Sequence, residues 1–310
     1  MSGWDPSVGR VVIIGGPTAS GKSALALDLA ERRNGVVINA DAMQVYRELR
    51  VLTARPGPEQ EARAPHRLYG IMSAGERCSA GRWRGLAVGE IEAARAAGRL
   101  PVVVGGSGLY LRALMDGIAP VPRIPDDVRR AAGALHRRLG GEAFHAMLEG
   151  RDPEMARRLS PGDGQRLVRA WEVLEATGRS LADWQREPHD TSRYDFEAIV
   201  LLPPRELLYA TCDSRFRAML DAGALEEVRA LDKLGLSDVQ PIMKALGVRE
   251  LRAHLRGEIE LDAAVRLAGQ ATRRYAKRQL TWFRHQMEEA TKIASQYSFK
   301  NRAEIFSKMA

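Results

Sequence analysis

At 310 residues, with 45% hydrophobic and 28% charged content, the chain can bury one large core or two modest ones and is not a small module. Its net charge of +8 sets up a positive field, so nucleic acid, a phosphorylated small molecule or both fit as partners, although an arginine-rich composition alone also yields such a charge. No apolar run approaches the ~20 residues of a membrane span, the opening MSGWDPSVGR lacks the layout of a secretory signal, and Cys78 and Cys212 show no CxxC spacing; a cytoplasmic protein is expected, without membrane association, disulfide or zinc site.

Arg10 to Ile14 reads as a short buried strand of β-branched residues, and after Gly15 to Ser23 the run Ala24 to Ala30 opens an apolar helix. Val36-Val37-Ile38 is a second buried strand and Pro101 to Val104 a third, with a helical stretch from Trp83 to Ala97 between them. Strands alternating with helices predict parallel βαβ units, helices on both faces. From about Pro120 strand character vanishes, and arginines such as Arg129, Arg130, Arg137 and Arg138 punctuate helical patterns until Tyr194. Strand character returns at Phe196 to Leu202, followed by long amphipathic helices through Gln286. The expected architecture is therefore an α/β core with a P-loop NTPase-like parallel sheet flanked by helices, made of residues 1–119 and 195–286. Residues 120–194 form an inserted helical subdomain, and residues 287–310 form a frayed helix or tail.

Gly16-Pro17-Thr18-Ala19-Ser20-Gly21-Lys22-Ser23 matches the Walker A pattern between a strand and a helix. In such a loop backbone N–H groups and the helix N-terminus converge on phosphate oxygens, Lys22 neutralises charge, and the Ser23 hydroxyl can ligate Mg²⁺. Phosphoryl transfer usually also needs an Asp ending an apolar strand. Here the third strand ends in Gly105-Gly106-Ser107-Gly108, which weakens an ordinary ATPase assignment, while Asp41 follows the second strand closely.

Four further stretches carry a family likeness. They are Asn39 to Arg47, Gly105 to Tyr110, Asp163 to Ala170 and Thr272 to Arg284, and with the glycine-rich loop they span nearly the whole chain. In this combination and order the sequence resembles the tRNA dimethylallyltransferases, also called tRNA isopentenyltransferases. It departs from them at Ser107, usually Thr; at Arg67, usually the second of two histidines; and at Ala42, usually Ser. The stretch beyond Met287 lies outside the likeness.

The resemblance implies alkyl transfer. The exocyclic amine of an adenosine beside the anticodon attacks the first carbon of dimethylallyl diphosphate, diphosphate leaves, and the P-loop serves as its clamp with Mg²⁺ as cofactor. That chemistry suits the residues, because Lys22, the loop amides and a Ser23-bound Mg²⁺ are preorganised for charge developing on the leaving group. A carboxylate near the amine is useful as a base. Asp41 is assigned that role, with a helix N-cap or a place beside the metal as the alternatives. By resemblance Ser107 hydrogen-bonds the diphosphate, a role compatible with capping the helix at Leu109. Arg215 adds a cation there or is a solvated helix arginine. By the same resemblance Asp41, Ala42, Met43 and Gln44, together with Gln165, Arg166, Leu167, Val168 and Arg169, lie near the tRNA anticodon stem-loop, with Arg129 touching it from the insertion. The run Arg273 to Arg284 supports phosphates or is a solvated face, and Trp282 and Phe283 stack a base or pack in the core. The reactive base must be turned out of its stack at a cost of a few kcal/mol. A monomer is expected.

Three alternatives stand beside this one: a small-molecule kinase with the insertion as a lid, prenylation of a free adenine nucleotide, and a nucleotide-controlled RNA-binding switch. The Gly-Gly-Ser-Gly strand end and the basic C-terminal stretch weigh against a kinase, and the arginine-rich insertion favours tRNA as acceptor.

Overall fold

Buried apolar runs alternating with amphipathic helices satisfy their backbone and their apolar faces together in a parallel sheet covered on both sides, and the protein adopts that arrangement. The computed structural model describes residues 9–188 and 194–308. Strand β1 (Arg10–Gly15) leads into helix α1 (Lys22–Arg32), followed by β2 (Gly35–Asn39), α2 (Pro58–Arg63), the two-residue β3 (His66–Arg67), α3 (Ala80–Ala96), β4 (Leu100–Gly105) and α4 (Gly108–Met115). Four helices then follow without a strand: α5 (Asp126–Glu149), α6 (Pro153–Arg158), α7 (Gly164–Thr177) and α8 (Leu181–Arg186). The chain continues through β5 (Asp195–Leu201), α9 (Arg205–Asp221), α10 (Ala224–Asp232), α11 (Val248–Leu255), α12 (Leu261–Gln286), β6 (Thr291–Ile293) and α13 (Arg302–Ser307).

All six strands form one parallel sheet in the order β3-β2-β4-β1-β5-β6. Successive side chains point to opposite faces, so β1 divides its apolar residues between two layers. Val11 and Ile13 join Val36, Ile38 and Val103 beneath Trp83, Leu111 and Phe283. Val12 and Ile14 join Val37, Val102 and Val104 against Leu25 and Leu29 of α1. β1 feeds β2 on one side, whereas its neighbour β4 feeds β5 on the other. Crossovers leaving adjacent strands in opposite directions open a crevice at their carboxyl ends, where such sheets bind ligands.

Compactness divides the chain into Met1–Met115 with Ser192–Ala310, and Asp116–Thr191. The second unit has its own core of Phe144, Leu148, Leu167, Trp171 and Ala182, with the Phe144 and Trp171 rings 5.5 Å apart. Its long helix α5 breaks at Gly140, where φ is 76°. Among the described residues no helix is long and apolar enough to cross a membrane.

The stretch from residue 287, expected as a frayed helix or tail, belongs to the sheet instead. β6 pairs with β5 through Ile199 with Thr291, Val200 with Lys292 and Leu201 with Ile293, and Ile293, Tyr297 and Ile305 are buried in the α1 layer. A three-residue strand and a six-residue helix are too short to show a period of 2.0 or 3.6 in sequence. Residues 1–8, residues 189–193 near the end of the expected insertion, and the last two residues of the expected tail lie outside the described residues.

Candidate active site

Loops leaving the carboxyl ends of β1, β2 and β4 meet in the crevice. After β1, Ala19 and Gly21 take left-handed backbone conformations, φ 64° and 87°. At Gly21 no side chain fits, since a Cβ there would lie 2.5 Å from the Tyr297 carbonyl oxygen. The first α1 amide to find a helical partner is Leu25 N, 3.1 Å from Gly21 O. The amides before it point out of the helix start, the arrangement that receives anions. Lys22 Nζ donates to Pro17 O at 3.1 Å. Burial pushes its pKa down to about 8, a shift opposed by the Asp41 carboxylate and reinforced by the Arg215 guanidinium.

The loop after β2 is built on Asn39, which is buried. Its Oδ1 accepts from Asp41 N at 2.8 Å, and its Nδ2 donates to Asp41 O at 3.1 Å and Leu68 O at 3.0 Å. Asp41 Oδ1 then accepts from Met43 N at 2.9 Å, a turn closed by its own side chain. No helix follows, so Asp41 caps a turn and not a helix, and Oδ2 has no protein partner among the described residues. Ser107, at the end of β4, accepts from Ala42 N at 2.9 Å, and Ser107 N donates to Ala40 O at 3.3 Å. The two loops touch main chain to main chain, for a Cβ on Gly105 would sit 2.0 Å from Ala40 O. The Ser107 hydroxyl thus holds the Asp41 loop in place, leaving its carbonyl to accept from Tyr110 N at 2.9 Å as α4 begins.

The sequence stretches gave no role to Gln279, yet it links the first and third loops. Its Oε1 accepts from Thr18 N at 2.8 Å and its Nε2 donates to Gly106 O at 2.9 Å, both from a buried position on α12. Arg215 on α9 completes the cluster, its pKa lowered by burial against the pull of Cys212 and Asp41, while burial raises the Cys212 thiol to about 11. Tyr69 and Tyr275 also lie near enough to the Asp41 carboxylate to feel its charge. Burial raises both phenols and the nearby carboxylate adds to the shift. A lone tyrosine in a loop or on a helix carries no sequence signal of such a position.

Lys22, Asp41, Ser107 and Arg215 are therefore brought into one crevice within one unit. Of the residues assigned near RNA, Ala42 and Met43 pack partly against the core, and the Gln44 amide donates to Thr53 O and Ala54 O at 2.8 and 3.1 Å. In the helical unit, Gln165 and Arg166 are exposed, Arg169 lies 3.4 Å from Glu172, and the buried Arg129 Nε has no hydrogen-bond partner. The Leu167 side chain is fully buried among Phe144 and Trp171, because on α7 the apolar positions 167, 170 and 171 share the face turned to the core. Arg273 is paired with Asp213. Trp282 packs over Gly108, where a Cβ would meet its ring at 2.5 Å, and Phe283 is buried against Gly15, so both rings serve packing.

A glycine-rich loop at the switch point of a parallel sheet, with a lysine and a guanidinium beside it, gives the chain a P-loop-like α/β fold. Comparison with known proteins narrows this. The model of a family described as IPP transferase matches residues 44–286. The chain is 60% identical to the tRNA dimethylallyltransferase of Rhodospirillum centenum over 292 residues, 93% of this chain and 92% of that one. The full-length tRNA isopentenylpyrophosphate transferase of Bacillus halodurans has a similar structure, with a TM-score of 0.69 and 32% identity over 97% of each chain. A eukaryotic dimethylallyltransferase solved acting on tRNA shares the fold, with a TM-score of 0.79 at 24% identity over 96% of this chain and 77% of that one. The protein belongs to the IPP transferase family.

Proposed function

We propose that the protein transfers a dimethylallyl group from dimethylallyl diphosphate to the exocyclic amine of the adenosine 3′-adjacent to the anticodon in tRNAs, releasing diphosphate, and that it does so in the cytoplasm as a monomer. The observation that carries this proposal is the Asp41 carboxylate, its Oδ2 without a protein partner among the described residues, lying close enough to act on Lys22 of a glycine-rich loop whose neighbouring strand ends in Gly105 and not in a carboxylate. In the reaction a bond forms between the amine nitrogen and the first prenyl carbon as the carbon–oxygen bond breaks. The electron pair of that bond leaves on the diphosphate oxygen, and the amine proton passes to Asp41. Lys22, Arg215 and the loop amides stand where the leaving group gains charge, fixed before the reaction begins. Ser107 keeps the Asp41 loop against β4.

The donor set fits Mg²⁺. Ser23 is exposed at the start of α1, and among the described residues no group of three His, Cys, Asp or Glu could form an all-protein cage. Mg²⁺ retains several waters and is commonly held by one or two protein oxygens plus substrate phosphates. Bound through Ser23, it would supply further charge stabilisation for the departing diphosphate. The tRNA contact is proposed for Asp41 to Gln44 and, in the helical unit, for Arg129 and the outward residues Gln165, Arg166 and Arg169.

Incubation with labelled dimethylallyl diphosphate and tRNA should yield labelled tRNA, with no product from AMP and no tRNA-dependent hydrolysis of ATP. Label on AMP instead would point to a free-nucleotide acceptor. Phosphoryl transfer from ATP would point to a kinase, and either result would overturn the proposal.

A further inference from the structure

The stretch following β6 does more than close the sheet. Gln296 Nε2 donates to Ala19 O at 2.8 Å and Tyr297 N donates to Ser20 O at 3.1 Å, so two consecutive carbonyls of the phosphate loop are held from behind by two consecutive residues near the C-terminus. The approach is close enough to exclude any side chain at Gly21. This strap is itself pinned at several points. Asn301 Nδ2 donates to Gln296 O at 2.8 Å, Gln296 reaches Thr211 on α9 at 3.4 Å, and the Tyr297 hydroxyl donates to the buried Asp28 carboxylate on α1. Arg302 Nη1 lies 3.7 Å from the same carboxylate.

Peptide geometry turns these contacts into an effect on the ligand side. In a planar trans peptide the C=O and the following N–H point in opposite directions. Holding Ser20 O toward the strap therefore aims Gly21 N–H away from it, toward the mouth of the loop. Holding Ala19 O in the same way fixes the plane of the next peptide. The left-handed conformation of Ala19, costly for a residue with a side chain, needs such restraint from outside the loop.

We propose that Gln296 and Tyr297 are positioning residues for diphosphate: the strap sets the direction of the phosphate-loop amides, so that the carboxyl-terminal stretch beyond α12 is a working part of the binding site. This rests on the P-loop's binding diphosphate, as proposed above. Two substitutions remove one strap donor each. Gln296→Glu replaces the amide donor by an oxygen of the same size, and Tyr297→Pro removes the backbone N–H.

Isothermal titration of the full chain with inorganic diphosphate, alongside Lys22→Ala, separates the two proposals. Each strap variant should bind diphosphate at least roughly fivefold more weakly, about the worth of one hydrogen bond. KM for dimethylallyl diphosphate should rise in step, affinity for tRNA should be unchanged, and amide exchange should quicken at 19–22. Gln296→Glu replaces a partly buried side chain near the surface, so its folding is checked by its melting temperature and its result stands alone if Tyr297→Pro fails to fold. If Lys22→Ala weakens diphosphate binding while a folded Gln296→Glu does not, the strap has no positioning role and the inference falls. If Lys22→Ala also binds normally, the diphosphate assignment itself falls, and the inference with it.

Discussion

Lys22 illustrates how one residue's surroundings set a pH window. Its pKa of about 8, well below the ordinary 10.5, follows mainly from burial. In the ligand-free protein the ammonium is therefore lost as pH rises through 8, and with it one positive partner of the diphosphate. KM for dimethylallyl diphosphate should rise above pH 8, and Lys22→Arg, which stays charged, should flatten that rise. Stability moves the other way. Between pH 8 and 10.5 the unfolded chain binds more protons at this position than the folded one, so urea unfolding at increasing pH should show a gain from Lys22 across that window that Lys22→Met lacks. Asp41 offers a second test. As a base it should tolerate Asp41→Asn in binding but not in rate, with the single-turnover rate on pre-bound tRNA falling by roughly 10²- to 10⁴-fold. Rescue of that variant by a Mg²⁺ titration would assign Asp41 to the metal instead.

At the scale of elements, the site depends on contacts between loops that no single strand–loop–helix unit contains. Gln279 on α12 satisfies one main-chain donor of the first loop and one main-chain acceptor of the third. Gln279→Leu keeps the volume but leaves Thr18 N–H and Gly106 C=O without partners. Chemical unfolding should show a loss of about 2–5 kcal/mol with an unchanged denaturant slope, and diphosphate affinity should fall as well. The Gly105 contact is stricter. With Ala40 O so near, Gly105→Ala must push β2 and β4 apart at their carboxyl ends, and the Asp41 loop moves with them. The aromatic residues of α12 show the same dependence, since Trp282 and Phe283 could stack a base by composition and are committed to Gly108 and Gly15 by packing.

For the whole molecule, the net charge of +8 implies an electrostatic share in tRNA binding. Affinity should fall steeply with salt, with log K dropping by roughly 0.9 per neutralised phosphate on duplex regions for each tenfold rise. The helical unit has its own apolar core, so residues 116–191 can be replaced by a short linker and the remainder checked for a cooperative unfolding transition. The salt slope of such a folded deletion should be shallower. An equal slope would remove the helical unit from the RNA interface.

Local chemistry made much of this legible in advance. β1, β2 and β4 are short apolar runs bounded by glycine or polar residues, β5 is apolar from Ala198 onward, and the phosphate loop has a fixed spacing because its backbone geometry tolerates little else; these are properties of contiguous residues, which a sequence presents directly. What only the tertiary structure decided depends on residues far apart in the chain. Ser107 holds Ala42, Gln279 joins Thr18 to Gly106, and Gln296 and Tyr297 hold Ala19 and Ser20 across more than 270 positions of sequence. β3 and β6 belong with these. Two and three residues long, they are strands only because a neighbour in the sheet offers its edge, and no periodicity can accumulate over so short a stretch. Apolar patterning and turn chemistry are written locally and survive as sequence, whereas the pairing of backbone donors and acceptors across the crevice exists only once the strands stand side by side.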